Sequence, residues 1–206
     1  MIRLASTLSV ALLAASTLSA CAGSAPGSAG TTTGAAGAGS ATPTMAATTT
    51  ELPTGRGGSA HVRSSWVVDG ATLSLEYGRP ALKGRPESQM MPAGKPWRTG
   101  ADAATILTTD RALTFGTVTL QPGTYTINTV PGPDQWQIVF GRLKAPGQWG
   151  VPYQPDLEIG RAPMRLSAAA TPAELVTFHL DYTATGPALR MEWGTVSASA
   201  PFTVVR

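Results

Sequence analysis

One cysteine, two histidines and a charged fraction of 13 % leave this 206-residue chain short of the residue types from which most catalytic centres are built. With Cys21 alone no intrachain disulfide can form, so the fold must rest on packing and hydrogen bonds. The carboxylates show no ligand spacing around His61 or His179, and no metal or cofactor is expected. There is no G-x-S-x-G turn, so His179 and Asp181, two apart in an alternating run, read as a solvated strand face rather than as parts of a hydrolytic triad. Charge of one sign is also scarce: from Ser59 onward there are 13 basic and 11 acidic residues, with no basic run interleaved with aromatics. That balance gives no ground for a nucleic-acid partner. Long apolar runs are missing too. The one candidate, Leu4 to Ala20, is diluted by six Ser and Thr residues and is too short and polar for a spanning helix.

What that run does resemble is an export signal. Arg3 makes a small basic start, the apolar stretch follows, and Leu18-Ser19-Ala20-Cys21 closes it as a bacterial lipobox. Residues 1–20 are therefore expected to be a lipoprotein signal peptide and Cys21 to carry acyl chains, palmitate among them, since two or more chains anchor durably where one does not. The expected location is the bacterial cell envelope. Ala22 offers no acidic retention signal, which points to the periplasmic face of the outer membrane where there are two membranes, and otherwise to the outer face of the cytoplasmic membrane. Residues 21–58 are almost wholly Gly, Ala, Ser, Thr and Pro, which predicts a disordered linker with a root-mean-square span of about 30 to 37 Å. Gly34, Gly37 and Gly39 have neither a strand before them nor an apolar helix after, so they make no phosphate-binding loop.

Residues 59–206 are the size of one domain, and their periodicity is two. Leu73, Leu75 and Tyr77 alternate with Thr72, Ser74 and Glu76; Val176, Phe178, Leu180 and Tyr182 alternate with polar residues; Leu189, Met191 and Trp193, and Trp136, Ile138 and Phe140, repeat the pattern. Turn signals fall between these runs at Asp69-Gly70, Pro122-Gly123, Pro131 to Asp134 and Gly186-Pro187. The expectation is an all-β domain, an antiparallel β-sandwich or jelly-roll-like fold of about eight or nine short strands, with a barrel as the alternative.

Two long segments break the rhythm, Gly78 to Asp102 and Gly141 to Leu157. The first gathers Arg79, Lys83, Arg85, Lys95 and Arg98 around Trp97, with Glu87 and Asp102 as the acids nearby. Guanidinium groups beside an indole suit a carboxylate, a phosphate or a sugar. The same cations would equally serve as a structural lock, with Arg79 and Arg98 paired to Asp102, Glu76 or loop carbonyls in a segment poor in regular hydrogen bonds. Trp66, Trp136 and Trp193 sit at alternating strand positions and read as core. Trp149 and Tyr153, like Trp97, lie in irregular segments and are candidates for a ligand platform.

The motifs Tyr77-Gly78-Arg79-Pro80, Lys83-Gly84-Arg85, Trp97-Arg98-Thr99-Gly100-Ala101 and Pro122-Gly123-Thr124-Tyr125, followed by Trp136, Phe140, Trp149-Gly150 and Tyr153, resemble a family of bacterial exported domains catalogued as a domain of unknown function. The resemblance implies an envelope β domain and no particular reaction. It also shows a departure. Where members carry Asn-Glu-Ala-Thr, this chain has Asp102-Ala103-Ala104-Thr105. Were that glutamate a general acid or base, this chain would have lost it, unless Asp102 replaces it from the opposite face of a strand. The sequence thus favours a lipid-anchored, non-enzymatic binding or scaffolding module for an anionic or carbohydrate ligand. A protein-interaction domain without a small ligand is the second reading, and a hydrolase of envelope polymers the third.

Overall fold

The computed structural model describes residues 42–144 and 153–206, and over them the chain is antiparallel β almost throughout. Its strands are β1 (Thr48–Leu52), β2 (Ala60–Val68), β3 (Ala71–Arg79), β4 (Thr105–Thr109), β5 (Leu113–Phe115), β6 (Val118–Leu120), β7 (Gly123–Val130), β8 (Trp136–Arg142), β9 (Glu158–Thr183), β10 (Gly186–Pro201) and β11 (Thr203–Val204), with one short helix, α1 (Glu87–Met90). Among the described residues there are thus eleven strands rather than eight or nine. Two are far longer than the turn signals mark, 26 residues in β9 and 16 in β10. Register shifts around Gly194 let β10 follow the bend of β9 without breaking the pairing.

Eight strands form one sheet in the order β1-β2-β3-β4-β7-β8-β9-β10, while β5 and β6, an excursion between β4 and β7, pair with β11 in a three-stranded sheet. The connectivity is that of a meander, each strand lying beside its predecessor except at that excursion. Local turns make this possible: Asp69 and Gly70 both take positive φ, 49° and 78°, the backbone of a tight hairpin whose twist matches its strands.

The alternating apolar faces turn inward as the pattern predicts. Trp66, Leu73, Leu75, Tyr77, Leu107, Ile127, Trp136, Phe140, Met191 and Trp193 are all buried. Phe115 of the small sheet meets Phe140 at 4.7 Å and Phe202 at 4.9 Å between ring centres, which ties the two sheets together. Across the interior, Tyr77 of β3 meets Phe178 of β9 edge-on at 4.9 Å and its hydroxyl accepts the Phe178 N–H. The large sheet is therefore curled until strands remote in its order touch. Each fully buried side chain of this kind is worth about 1.5–3 kcal/mol, so this interior is the main source of stability.

Residues 42–58 differ from the expected linker. β1 pairs with β2 from Thr48↔Ser65 to Leu52↔His61. Ahead of it the Tyr182 N–H donates to Pro43 O, the Met45 N–H donates to Leu180 O, and Thr44 Oγ1 donates to Asp181. This strap runs from β9 to β2. Composition misses it because β1 leaves nearly every side chain exposed; it is held by ladder hydrogen bonds, which a threonine run supplies without burying apolar surface. Cys21 and the residues before it lie outside the described residues.

Candidate functional site

The segment after β3 has little regular structure, so its backbone groups must be satisfied by other elements. The Val176 N–H donates to Pro80 O and the Leu82 N–H donates to Glu174 O, which seats residues 80–82 beside β9. Farther along, Trp97 and Thr129 exchange two backbone hydrogen bonds of 2.7 and 2.8 Å, which fixes Trp97 against β7. Thr99 Oγ1 donates to Thr129 Oγ1, and Thr105 Oγ1 donates to Thr99 O. In between, the Glu87 carboxylate of α1 accepts the Thr195 N–H at 2.6 Å and the Thr195 hydroxyl as well. The turns are strained. Lys83, Thr99 and Asp102 hold φ of 51°, 54° and 61°, and for the β-branched, fully buried Thr99 this conformation is costly. Such strain, of order 1–3 kcal/mol per residue, persists only where the surroundings over-determine it.

This scaffold opens a cleft of about 630 Å³ that gathers Arg79, Lys83, Arg85, Trp97 and Arg98 on its walls. Five of the residues singled out from the sequence thus converge. Gly57 to Ala60 at the start of β2 complete one wall, and Trp193 of β10 another. Among the described residues that line the cleft, none is a carboxylate or a histidine. The cations are not equivalent. Arg79 donates from Nε to Val176 O at 3.0 Å and from Nη2 to Thr177 Oγ1 at 2.9 Å, and Arg85 donates to Leu82 O and Ala81 O. Arg79 acts in part as the lock foreseen for it, toward a carbonyl and a hydroxyl rather than toward Glu76, which pairs with Arg63, and Arg85, not foreseen in that role, does so toward loop carbonyls. Arg98 makes no hydrogen bond among the described residues, and its Nε is shut away from solvent unpartnered. Trp97 stacks on Trp193 with ring centres 5.3 Å apart and planes 12° apart, and Trp193 is itself anchored by donating Nε1–H to Glu174 O.

Lys95 and Asp102 fall elsewhere. Lys95 is exposed and does not line the cleft. Asp102 lies in a turn before β4 rather than on a strand, so the expected change of strand face does not arise; its left-handed backbone is one that Asp and Asn tolerate better than most residues. The carboxylate is buried behind the wall and meets His61 Nε2 at 3.2 Å. A Cβ at Gly55 or Gly57 would strike that carboxylate, and one at Gly55 or Gly78 would strike the imidazole. Three glycines are thus required by the close approach of backbone to this pair. Sequence reasoning missed His61 and the 57–60 wall because the glycines around Arg56 read as linker, and it missed Trp193 as a wall because a strand tryptophan reads as core.

Tyr153 belongs to a second recess, which shares Arg98 with the first and adds Thr126, Asn128, Arg142 and Glu158. Its hydroxyl donates to Glu158 and accepts from Arg161. Arg161 holds the Glu158 carboxyl below its ordinary range, and that carboxylate in turn pushes the Tyr153 hydroxyl up. Trp149 lies outside the described residues.

His179 and Asp181 are also not a plain solvated face. They lie in a half-buried charge network on β9 and β10. Arg190 Nε donates to Asp181 at 2.5 Å and Arg190 also pairs with Glu192; His179 meets Glu192 at 3.2 Å, and Thr44 of the strap closes on Asp181. The strap buries what a bare strand would have exposed. Burial, aided by Arg190, pushes His179 below its ordinary value. For Asp181 burial acts upward, but Arg190 and Thr44 outweigh it and hold the carboxyl low. Among the described residues no three His, Cys, Asp or Glu side chains are grouped so as to hold a metal ion.

Compared with family models, residues 59–202 match the family described as Protein of unknown function (DUF2911), which covers the whole cleft except the glycines ahead of Ser59. No match is found among curated proteins or among solved structures.

Proposed function

This chain belongs to that family, and from the charge of its cleft we propose that it is a non-enzymatic binding module for an anionic ligand, tethered to an envelope membrane through acyl chains on Cys21. The observation that carries the reading is the single sign of charge. Four cationic side chains, Arg79, Lys83, Arg85 and Arg98, face one cleft with no carboxylate among its described lining residues. Gathering like charges costs free energy that an anion repays, and walls of low dielectric concentrate the field on whatever enters. Arg98 is the residue best able to make the bidentate contact, because it makes no hydrogen bond among the described residues. Catalysis is less well supported. His61 and Asp102 stand behind the wall, and among the described residues no acid and base face each other across the cleft.

Calorimetric titration of the full chain with citrate and with inorganic phosphate tests the anion site. Binding that weakens with salt, and about tenfold in Arg98→Ala, is the expected result. Absence of binding by either probe, or binding indifferent to Arg98→Ala, removes the site. The tether rests on the lipobox, and Cys21→Ser is expected to move the protein from the membrane to the soluble fraction; persistence on the membrane defeats the anchor.

A further inference from the structure

Resting on the reading of the cleft as an anion site, we infer that its anion is carried on a sugar ring, so that the ligand is an acidic saccharide rather than a small free anion. Three observations lead there. The first is size. At about 630 Å³ the cleft falls within the span of about 300–1,000 Å³ typical of organic-ligand sites. A lone phosphate or sulfate fills little of it.

The second is how the donors are shared out. Arg79 and Arg85 each spend Nε and Nη2 on protein acceptors, which leaves Nη1 and a positive field. They provide single hydrogen bonds to scattered acceptors. Arg98, which borders both this cleft and the recess of Tyr153, makes no hydrogen bond among the described residues and so has terminal nitrogens to offer one anionic group. A ligand matched to this set bears one carboxylate-like group and several separate oxygens, as an acidic sugar does.

The third is Trp97, next to Arg98 in the chain and on the same cleft. Trp97 lines the cleft, Trp193 stacks on one of its faces, and the anchored stack prevents the indole from turning away. Indole presents its negative face to the C–H side of a pyranose or to a cation, and cations already crowd the site, so a ring bearing the anion is the complementary guest.

The experiment compares trigalacturonate, neutral maltotriose, inorganic phosphate and adenosine monophosphate on the full chain by calorimetry at one ionic strength. The expected order places trigalacturonate at least tenfold tighter than phosphate and than maltotriose. Trp97→Ala is expected to weaken trigalacturonate about fivefold and phosphate less than twofold, with Trp97→Phe restoring part of the loss. Because Trp97 packs on Trp193, circular dichroism of both variants checks folding, and the Phe variant carries the test if the Ala variant does not fold. Equal affinity for phosphate and trigalacturonate, or preference for adenosine monophosphate, overturns the saccharide while leaving the anion site standing. Failure of every anion to bind overturns both.

Discussion

Two charged regions of this molecule follow opposite rules. In the network on β9 and β10, Arg190 is matched by Asp181 and Glu192, His179 by Glu192, and Thr44 fills the remaining position. Every charge has its counterpart, as charges taken out of water require. In the cleft after β3, Arg79, Lys83, Arg85 and Arg98 face a shared space with no carboxylate among its described lining, and Arg98 has no partner among the described residues. The network is complete in itself, whereas the cleft lacks its counter-charge. Arginine serves in both. What separates them is whether the fold brings acids and bases to the same place.

That contrast can be broken by substitution. Asp181→Ala is expected to have the largest effect on stability, about 3 kcal/mol by urea unfolding, because it leaves the half-buried Arg190 without the carboxylate that accepts two of its hydrogen bonds. Arg98→Ala should change stability by less than about 0.5 kcal/mol while removing most anion affinity; if the two variants were equally destabilised, Arg98 would be a lock after all. Gly57→Ala falls between the two in stability, at about 1–3 kcal/mol with loss of anion affinity, since its Cβ collides with Asp102 behind the cleft wall. Thermal melts read both quantities.

Acid should weaken the network further. His179 is held below its ordinary value of about 6.5, so from that value down to its folded one the unfolded chain binds a proton that the fold refuses. Stability contributed there is complete above about pH 6.5 and falls as the pH drops through that window. Asp181, also held low, adds its own loss below about pH 4, as protonation releases Arg190. In His179→Gln the upper part of the decline should vanish from melting curves taken between pH 7 and pH 5. Lys95→Ala is the smallest effect anticipated: exposed and off the cleft, it should alter neither melting temperature nor anion affinity beyond error.

Much of the fold was legible because strands that bury one face write it as alternation. Leu73, Leu75 and Tyr77, or Leu189, Met191 and Trp193, announce both strand and face. The strap was not legible, since β1 buries almost nothing and its hydrogen bonds belong to the backbone, which every sequence shares. The length of β9 was hidden for a similar reason: Ser167 to Ala173 carries no apolar alternation, yet the ladder with β10 runs past it. At the site, the 79–98 cluster stood out by charge and by its tryptophan. Its split into a cleft, an exposed Lys95, an Asp102 turned toward His61 and a Tyr153 in another recess could not be read from spacing.

By itself, then, the sequence determined an all-β domain with an inward tryptophan set and a cation-rich segment after β3, because periodicity and composition are properties of neighbours along the chain. Only the tertiary structure decided which cations share a space and which find partners. Arg79 reaches Val176 and Thr177 across 97 and 98 residues of chain, and Trp97 lies on Trp193. Whether a charge is answered or left open depends on pairings at such distances, which the curl of the sheet sets and no local pattern records.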